Sequence, residues 1–383
     1  MEDNNWYGKD YKVGVLGGGQ LGRMLIQAAN SYDVAIYCMD GDANAPCSKI
    51  AHGFTHGDIQ NYDDVYAFGK DKDVVTVEIE HVNVAALKQL AAEGVAVYPQ
   101  PTILEMIQDK GLQKAFYAKN NIPTAPFRLI KAQAELSKNE SFLPFVQKMR
   151  KGGYDGKGVK AIQTSKDFED GFDVPSVLEQ FVDFEKELAV IVARNENGEV
   201  KTFPTVACEF SKTLNLVEFL YAPADISSEI EEKAQAIAKD IIEKLGMVGL
   251  LAVELFLTKE GELLVNEIAP RPHNSGHHTI ESNITSQFEQ HLRAITNRPL
   301  GATDIIQAGV MVNLLGEPGH EGPTFLEGFD RIMAMPNVHV HLYGKTTTKP
   351  HRKMGHVTIC AKEMDTAKST ALAVKAILKV KAR

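Results

Sequence analysis

The 383-residue chain is 44% hydrophobic and 24% charged, a globular composition long enough for two or three domains with cores of their own, which excludes fibrous and disordered classes. A net charge of −9 argues against a nucleic-acid-binding surface, because affinity for a phosphate backbone comes from dense Lys/Arg patches. Met1–Asp10 is polar and acidic rather than a signal sequence, no apolar run approaches the roughly 20 residues of a membrane span, and Cys38, Cys47, Cys208 and Cys360 form no C-x-x-C pair, so a cytoplasmic protein with reduced thiols and no membrane contact is expected.

The first third alternates strands and helices. Apolar strands are predicted at Tyr11–Leu16, Val34–Met39, Val74–Ile79 and Ala96–Tyr98, with helices from about Gln20 and near Asn83–Ala92, the alternation of a doubly wound parallel sheet. After Gln100–Pro101 one long helix is expected over Ile103–Asn120, and the proline-marked link Asn121–Pro126 opens a second unit. That unit holds a strand at Leu143–Met149, a strand-helix region to about Ala207, and a helix Ser228–Leu245 with Ser228 and Glu231 as capping box and Gly246 as stop. Two strands follow, Val248–Thr258 and Glu262–Ile268, around a turn at Glu260-Gly261. From Pro299 a third, smaller unit carries strand patterns at Gln307–Leu314 and His339–Tyr343.

Chemistry first enters after the first strand, where Gly17-Gly18-Gly19-Gln20-Leu21-Gly22-Arg23 satisfies G-x-G-x-x-G and Asp40 ends the second strand. On this segment alone a nicotinamide or flavin enzyme is the natural reading. The physics is less selective: free N–H groups at a helix start attract any phosphate, so a phosphoribosyl substrate would serve equally. Further on, Arg150–Lys160 reads R-K-G-G-Y-D-G-K-G-V-K. Its glycines let backbone N–H groups turn toward an anion, and Lys148, Lys151 and Lys157 add positive charge. It is no Walker A motif, since Gly158 follows Lys157 where Ser or Thr is required. The alternative is a solvated Gly-Lys hairpin tip.

The register of the later strand pair places Glu254 opposite Glu267. Two carboxylates on one face of a ladder repel unless a cation lies between them, and the hard-oxygen set, with Asn266 adjacent, points to Mg²⁺ shared with substrate phosphates. The alternative is that both point to solvent. The loop Ala269-Pro270-Arg271-Pro272-His273-Asn274-Ser275-Gly276-His277-His278 reads as an anion clamp: Arg271 offers a planar fork for a carboxylate-like anion, and His273 is suited to move a proton near neutral pH. Without a cysteine it is weak evidence for zinc. Lys345 and His351-Arg352-Lys353-Met354-Gly355-His356 form the densest basic cluster of an acidic chain, either a binding patch or a charged turn facing water.

Taken together, the Gly-Tyr-Asp-Gly-Lys-Gly loop, the Glu-Gln-Phe-Val segment at 179–182, and the paired Glu254 and Asn266-Glu267 followed by Ala-Pro-Arg-Pro-His-Asn-Ser-Gly-His resemble the ATP-grasp superfamily. Within it the chain is similar to the N5-carboxyaminoimidazole ribonucleotide synthetase family, over nearly its whole length. The resemblance implies an α/β (α+β) ATP-grasp fold: an N-terminal Rossmann-like parallel-sheet domain at 1–102, a central ATP-grasp domain at 103–298 with a lid at about 124–187, and a small C-terminal β-rich domain at 299–383. It also implies residue roles. Lys148 and the loop residues Gly153, Tyr154, Asp155, Gly156, Lys157, Gly158 and Val159 would hold ATP phosphates, and Lys110 would contact ATP. Glu179, Gln180, Phe181 and Val182 would read adenine, Glu187 would bond the ribose, and Glu254 and Glu267 would bind Mg²⁺ with Asn266 beside them. Gln20, Leu21, Glu78, Asn274, Lys345, Arg352 and Lys353 would hold the aminoimidazole ribonucleotide, and Arg271, His273 and Lys353 would surround bicarbonate and its activated form.

The implied reaction is ATP-dependent carboxylation of 5-aminoimidazole ribonucleotide by bicarbonate through carboxyphosphate. The alternatives are an NAD(P)-dependent oxidoreductase and a formate-using phosphoribosylglycinamide transformylase. Asp155, a negative charge inside a phosphate lid, is expected to face the ribonucleotide and couple lid closure to its binding. Lys110 stands where the family usually has arginine, which replaces a planar fork by a point charge, and the stretch around Ser211 departs from a family pattern that carries a histidine. Family analogy suggests a homodimer, and a separate mutase is expected to take the product.

Overall fold

A computed structural model of the chain describes residues 5–153, 158–210 and 217–383. Its N-terminal unit consists of β1 (Gly8–Leu16), α1 (Gln20–Asn30), β2 (Val34–Asp40), β3 (Gly53–His56), α2 (Tyr62–Gly69), β4 (Val74–Val77), α3 (Val84–Ala92) and β5 (Ala96–Val97). The strands form one parallel sheet in the order β3-β2-β1-β4-β5. Buried on both faces, they read as unbroken apolar runs: Val13, Val15, Leu16 and Val75 are fully covered. β3 and α2 were not legible, since Gly-Phe-Thr-His has one large apolar residue and α2 is called by its Asn61 cap, which accepts from the Asp64 N–H. Strand order reverses between β1 and β4, so the loops that follow them diverge around a crevice, the usual ligand position in such sheets.

The single helix expected over Ile103–Asn120 is two, α4 (Pro101–Ile107) and α5 (Lys110–Lys119). Asp109 leaves the helical path and caps α5, accepting from the N–H groups of Gly111 and Leu112. The same carboxylate takes the Arg150 guanidinium in a bidentate pair at 2.7 and 2.8 Å. Gly111 makes that possible, because a Cβ there would lie 2.4 Å from Arg150 Nε.

Next come β6 (Phe127–Ile130), β7 (Phe145–Met149), β8 (Val159–Ile162) and β9 (Ser176–Gln180), a four-stranded antiparallel sheet in the order β6-β9-β7-β8. They are followed by β10 (Phe184–Arg194), β11 (Val200–Thr202), β12 (Val206–Phe210), β13 (Val217–Ala222), α6 (Ser228–Leu245), β14 (Gly249–Thr258), β15 (Leu263–Ala269), α7 (Thr279–Ser282) and α8 (Gln287–Ile295). Among the described residues between Asn121 and Ala207, the expected strand-helix mixture is strands with short 3-10 turns only. The remainder is β16 (Ala308–Leu315), β17 (Gly322–Glu327), α9 (Phe329–Met333), β18 (Val338–Leu342), β19 (Thr347–Thr348), β20 (Lys353–Ala361), α10 (Met364–Ile377) and β21 (Lys379–Ala382).

One large antiparallel sheet, β15-β14-β10-β12-β13-β16-β20-β18 with β11 beside β10, spans the expected boundary near Pro299, because β13 pairs directly with β16. Helix α6 covers one face with Ala234, Ala238, Ile241 and Ile242 against Val190, Val192, Leu251, Val253 and Val265. Its cap is Ser227, which accepts from the Ile230 N–H, and not Ser228. Glu231 instead accepts from the Thr205 N–H. Gly246 ends the helix in the left-handed region, at φ 59°, which glycine enters without a Cβ penalty. Among the described residues no helix is long and apolar enough to cross a membrane.

Candidate active site

The glycine turn after β1 is closed by the chain's own acids. Glu78, just past β4, accepts from the Gly19 N–H at 2.5 Å and the Gly22 N–H at 2.6 Å, and Asp40 accepts from the Gly18 N–H at 2.7 Å. The turn therefore does not offer a dinucleotide free N–H groups, and a pyrophosphate there would meet two carboxylates. The glycines serve this closure. Cβ atoms at Gly17 and Gly19 would lie 2.5 and 2.3 Å from the Glu78 side chain, and Gly17 sits at φ +100°. Burial raises the pKa of Glu78 despite the two N–H donors that oppose it. Gln20 opens α1 at this turn, half-buried, whereas the Leu21 side chain packs into the core and offers a ligand its backbone alone.

Across the crevice, β14 and β15 pair with Glu254 opposite Glu267 as expected, but for a reason the register argument lacked. Near the turn the register is one residue shorter, with Leu255 opposite Val265, and a bulge at Asn266 restores it. Without the bulge Glu254 would face Asn266. Val265 and Ile268 both point into the core, so the extra residue turns Asn266 and Glu267 together to the cleft. His273 Nε2 lies 3.6 Å from Glu254 Oε1. Two carboxylates and an amide oxygen fit a hard cation completed by phosphate oxygens rather than an all-protein cage. Among the described residues no group of three or more His, Cys, Asp or Glu is placed to hold a metal by itself.

Three lysines gather around Glu267, Asn266 and the neighbouring Glu179. Lys110, at the start of α5, reaches Glu267 Oε2 at 2.9 Å. Lys148 on β7 donates to Glu179 Oε2 at 3.1 Å and to Asn266 Oδ1 at 3.2 Å. Lys114, unremarked in the sequence, lies 3.2 Å from the same Glu179 oxygen. Glu179, 5% exposed on β9, would be raised by burial, yet Lys148 and Lys114 hold it below the usual carboxylate range. Gln180 and Val182 are half-buried at the end of β9, with Phe181 between them 44% exposed. Glu187 on β10 is pushed up to about 7 by burial, against the pull of Lys148. Gly153, Gly158 and Val159 flank the glycine loop, Val159 exposed and Gly158 left-handed at φ +74°; Tyr154, Asp155, Gly156 and Lys157 lie outside the described residues, as does Ser211.

The clamp after β15 joins both sides. Arg271 Nε lies 2.9 Å from Glu80 Oε1, and Glu80 follows Glu78 by two residues. Sequence reasoning passed over Glu80, although Glu-x-Glu at a strand's C-terminal end was a readable signal. His273 Nδ1 accepts from the Ser275 N–H at 3.4 Å, which leaves the proton on Nε2, facing Glu254. The expectation that His273 titrates near neutrality fails. Burial, then the charges of Arg271 and Lys353, push it down to about 3, so it is a neutral donor. Asn274 exchanges amide hydrogen bonds with Asn313 on β16, a second residue the sequence did not flag.

From the C-terminal unit, Lys345 donates to the Lys353 carbonyl at 2.8 Å and Arg352 to the Thr347 carbonyl at 2.8 Å. Burial, then the Arg352 charge, pull Lys345 down to about 8 against the attraction of Glu78. Two members of the basic cluster thus lie toward the site, while His351 is exposed: Gly344, next to Lys345, approaches Arg23 of α1, and the Lys353 charge reaches His273.

The chain matches the ribonucleotide synthetase preATP-grasp domain over residues 11–108, the ATP-grasp domain over 115–288 and the phosphoribosylaminoimidazole carboxylase C-terminal domain over 309–370. It is 38% identical over 369 residues to phosphoribosylaminoimidazole carboxylase of Candida glabrata, covering 92% of this chain and 64% of that one; the chain thus spans about two thirds of the length of the longer relatives it matches. It is 37% identical to N5-carboxyaminoimidazole ribonucleotide synthase of Bacillus subtilis, covering 92% of both. The synthetase structure from Thermotoga maritima superimposes with a TM-score of 0.90 at 42% identity, over 97% of this chain and 100% of that one. The Aspergillus clavatus synthase in complex with ADP and 5-aminoimidazole ribonucleotide does so with a TM-score of 0.86 at 34% identity, over 96% and 99%. With three successive domains matched and a relative 37% identical over 92% of both chains, the chain belongs to the N5-carboxyaminoimidazole ribonucleotide synthase family of ATP-grasp proteins.

Proposed function

We propose that the chain carboxylates 5-aminoimidazole ribonucleotide with bicarbonate at the expense of ATP, giving N5-carboxyaminoimidazole ribonucleotide, ADP and phosphate. One observation carries this reading: a lysine-rich phosphate site at Lys110, Lys148 and the Glu254/Glu267 pair is joined, through Arg271 and His273, to a turn closed by Glu78. The Aspergillus clavatus relative is described in complex with ADP and the ribonucleotide together. Two substrate sites flanking one clamp is what a two-step ligase requires.

In the first step a bicarbonate oxygen attacks the γ-phosphorus and the β–γ bridging bond breaks, releasing ADP and forming carboxyphosphate. Lys148 and Lys110 neutralise charge on the phosphoryl oxygens, and the Arg271 fork orients the carboxylate-like nucleophile. Mg²⁺ held by Glu254, Glu267 and the phosphates would supply further charge neutralisation and in-line positioning. His273, neutral with its proton on Nε2, donates to an oxygen of the activated carboxyl. In the second step the exocyclic amine of the ribonucleotide bonds to that carbon and phosphate leaves, with the amine proton lost to the departing phosphate. Carboxyphosphate hydrolyses readily, so exclusion of water from the clamp preserves it.

The test is phosphate release from ATP with and without bicarbonate and the ribonucleotide. Mg²⁺-dependent release stimulated by both, with carbamate formation, is expected. Stimulation by formate with glycinamide ribonucleotide instead, or NAD(P)H turnover, would replace the assignment.

A further inference from the structure

Lys114 is the only lysine buried among the described residues, at 1% exposure. Its ammonium donates to Thr124 Oγ1 at 2.6 Å, lies 3.2 Å from Glu179 Oε2 and sits 5.7 Å from the centre of the Tyr117 ring. Desolvating such a charge costs several kcal/mol, and replacing a whole buried ion pair by apolar groups is often neutral or stabilising, although removing one partner alone is not. Burial by itself therefore gives no reason for a lysine here.

Its surroundings do. Thr124 Oγ1 donates to the Val265 carbonyl at 2.7 Å, and Val265 N–H donates to Pro123. Val265 immediately precedes the bulge that turns Asn266 and Glu267 into the cleft. Lys114 is thereby fixed to the backbone that builds the phosphate site, and no ligand reaches it, since its side chain is 2% exposed. Lys148 contacts the same Glu179 oxygen from the cleft side and is bonded to Asn266 as well. Glu179 thus has one counter-ion that faces the ligand and one that does not.

We propose that Lys114 is a positioning residue: it keeps Glu179 ionised and in place when Lys148 turns to the nucleotide, and so sets the preference for adenine over guanine. The proposal rests on the reading of Glu179 as the group that meets the base. Adenine presents an amino donor where guanine presents a carbonyl oxygen. A carboxylate accepts from the first and repels the second, whereas a protonated carboxyl can donate to the guanine oxygen, so discrimination depends on the charge. Burial favours the protonated form, and a fixed cation offsets it. The directions agree: burial pulls Lys114 down to about 8 against the attraction of Glu179, and Glu179 is held low by both lysines.

The experiment compares wild type with Lys114→Met, Glu179→Gln and the double variant, reading ADP or GDP release and direct competition of ATP and GTP for a fluorescent nucleotide analogue. Lys114→Met is expected to raise the KM for ATP about tenfold and to lower the ATP:GTP preference about tenfold, with kcat less affected and thermal stability lowered, since Glu179 keeps only Lys148 as counter-ion. In the Glu179→Gln background the Lys114 substitution should add nothing. An unchanged ATP:GTP preference, or losses that multiply in the double variant, would overturn the proposal. Thr124→Val, which loosens the ammonium without removing it, should shift the preference in the same direction by less; a wild-type preference in that variant would also count against it. Competition binding does not depend on carboxylation, so a failure of the proposed reaction is read separately, from wild-type turnover.

Discussion

Glu254 and Glu267 face each other across adjacent strands, yet they are driven in opposite directions. Burial, then the charge of Glu267, pushes Glu254 up; burial acts on Glu267 too, but the Lys110 ammonium 2.9 Å away outweighs it and holds Glu267 down. Of two facing carboxyls with one neighbouring cation, the one farther from the cation takes up a proton more readily, and a divalent ion between them would relieve their repulsion. Glu267→Gln is therefore expected to lower Mg²⁺-dependent ADP formation by about a thousandfold or more while leaving the melting temperature near wild type, because the side chain is 46% exposed to the cleft. Retention of more than about a tenth of the wild-type rate would remove the pair as the metal site.

Gly19→Ala tests the closed turn. The new methyl would sit 2.3 Å from Glu78 Oε1, and Gly19 needs no positive φ, so displacement of Glu78 is the main consequence. The KM for the ribonucleotide should rise at least about tenfold with the KM for ATP unchanged, since a misplacement near 1 Å is costly to orientation. A wild-type ribonucleotide KM would show that Glu78 does not act there.

These two sites differ in how far the sequence disclosed them. The Glu254/Glu267 pairing was legible from strand period and turn position, but the bulge at Asn266 was not, because a bulge leaves no mark in a five-residue apolar pattern. The glycine turn was legible as an anion site, and it misled for the same reason: free N–H groups are a local expectation, and the carboxylate that fills them comes from 59 residues away. Local signals also hid the break at Asp109, whose partner Arg150 is 41 residues distant. His273 was mistaken for a neutral-pH proton carrier since burial, which decides its pKa, is a property of the assembled clamp. The parallel sheet and the central strands were readable where period and burial coincide, as in Val13–Leu16 and Leu250–Leu255.

Glu187 separates stability from binding. Its pKa of about 7 lies above that of an unfolded glutamate, near 4.3. The native state therefore holds a proton that the unfolded chain has lost between those values, and stability falls as pH rises through the window. Glu187→Gln removes that loss. At pH 8 the variant should melt a few degrees above wild type, with the difference shrinking toward pH 4.5. If Glu187 bonds the ribose, the same variant should show a KM for ATP raised about tenfold, the loss expected of a charge-assisted hydrogen bond. A variant no more stable at pH 8 would contradict the burial argument, and an unchanged KM would remove Glu187 from the ribose site.

Acid acts through the buried imidazoles with the opposite sign. Burial pushes His278 down to about 4 and His291 down to about 3, and holds His277 and His356 well below the ordinary range. Each binds a proton near pH 6.5 only in the unfolded chain, so each removes stability as pH falls below that value. Glu187 and Glu254, both raised, contribute the reverse slope over part of the same interval. The total slope is consequently a poor test, whereas the difference made by one histidine is a clean one. His291 is fully buried, away from the cleft, with Nε2 3.0 Å from Thr76 Oγ1 and, among the described residues, no partner at Nδ1. His291→Gln should be less stable than wild type at pH 8 through lost packing, yet lose stability more slowly on acidification, by about 1.4 kcal/mol per pH unit between roughly pH 6 and 4. Urea unfolding of both proteins across that interval measures it, and parallel stability curves would show that His291 is not held neutral by the fold.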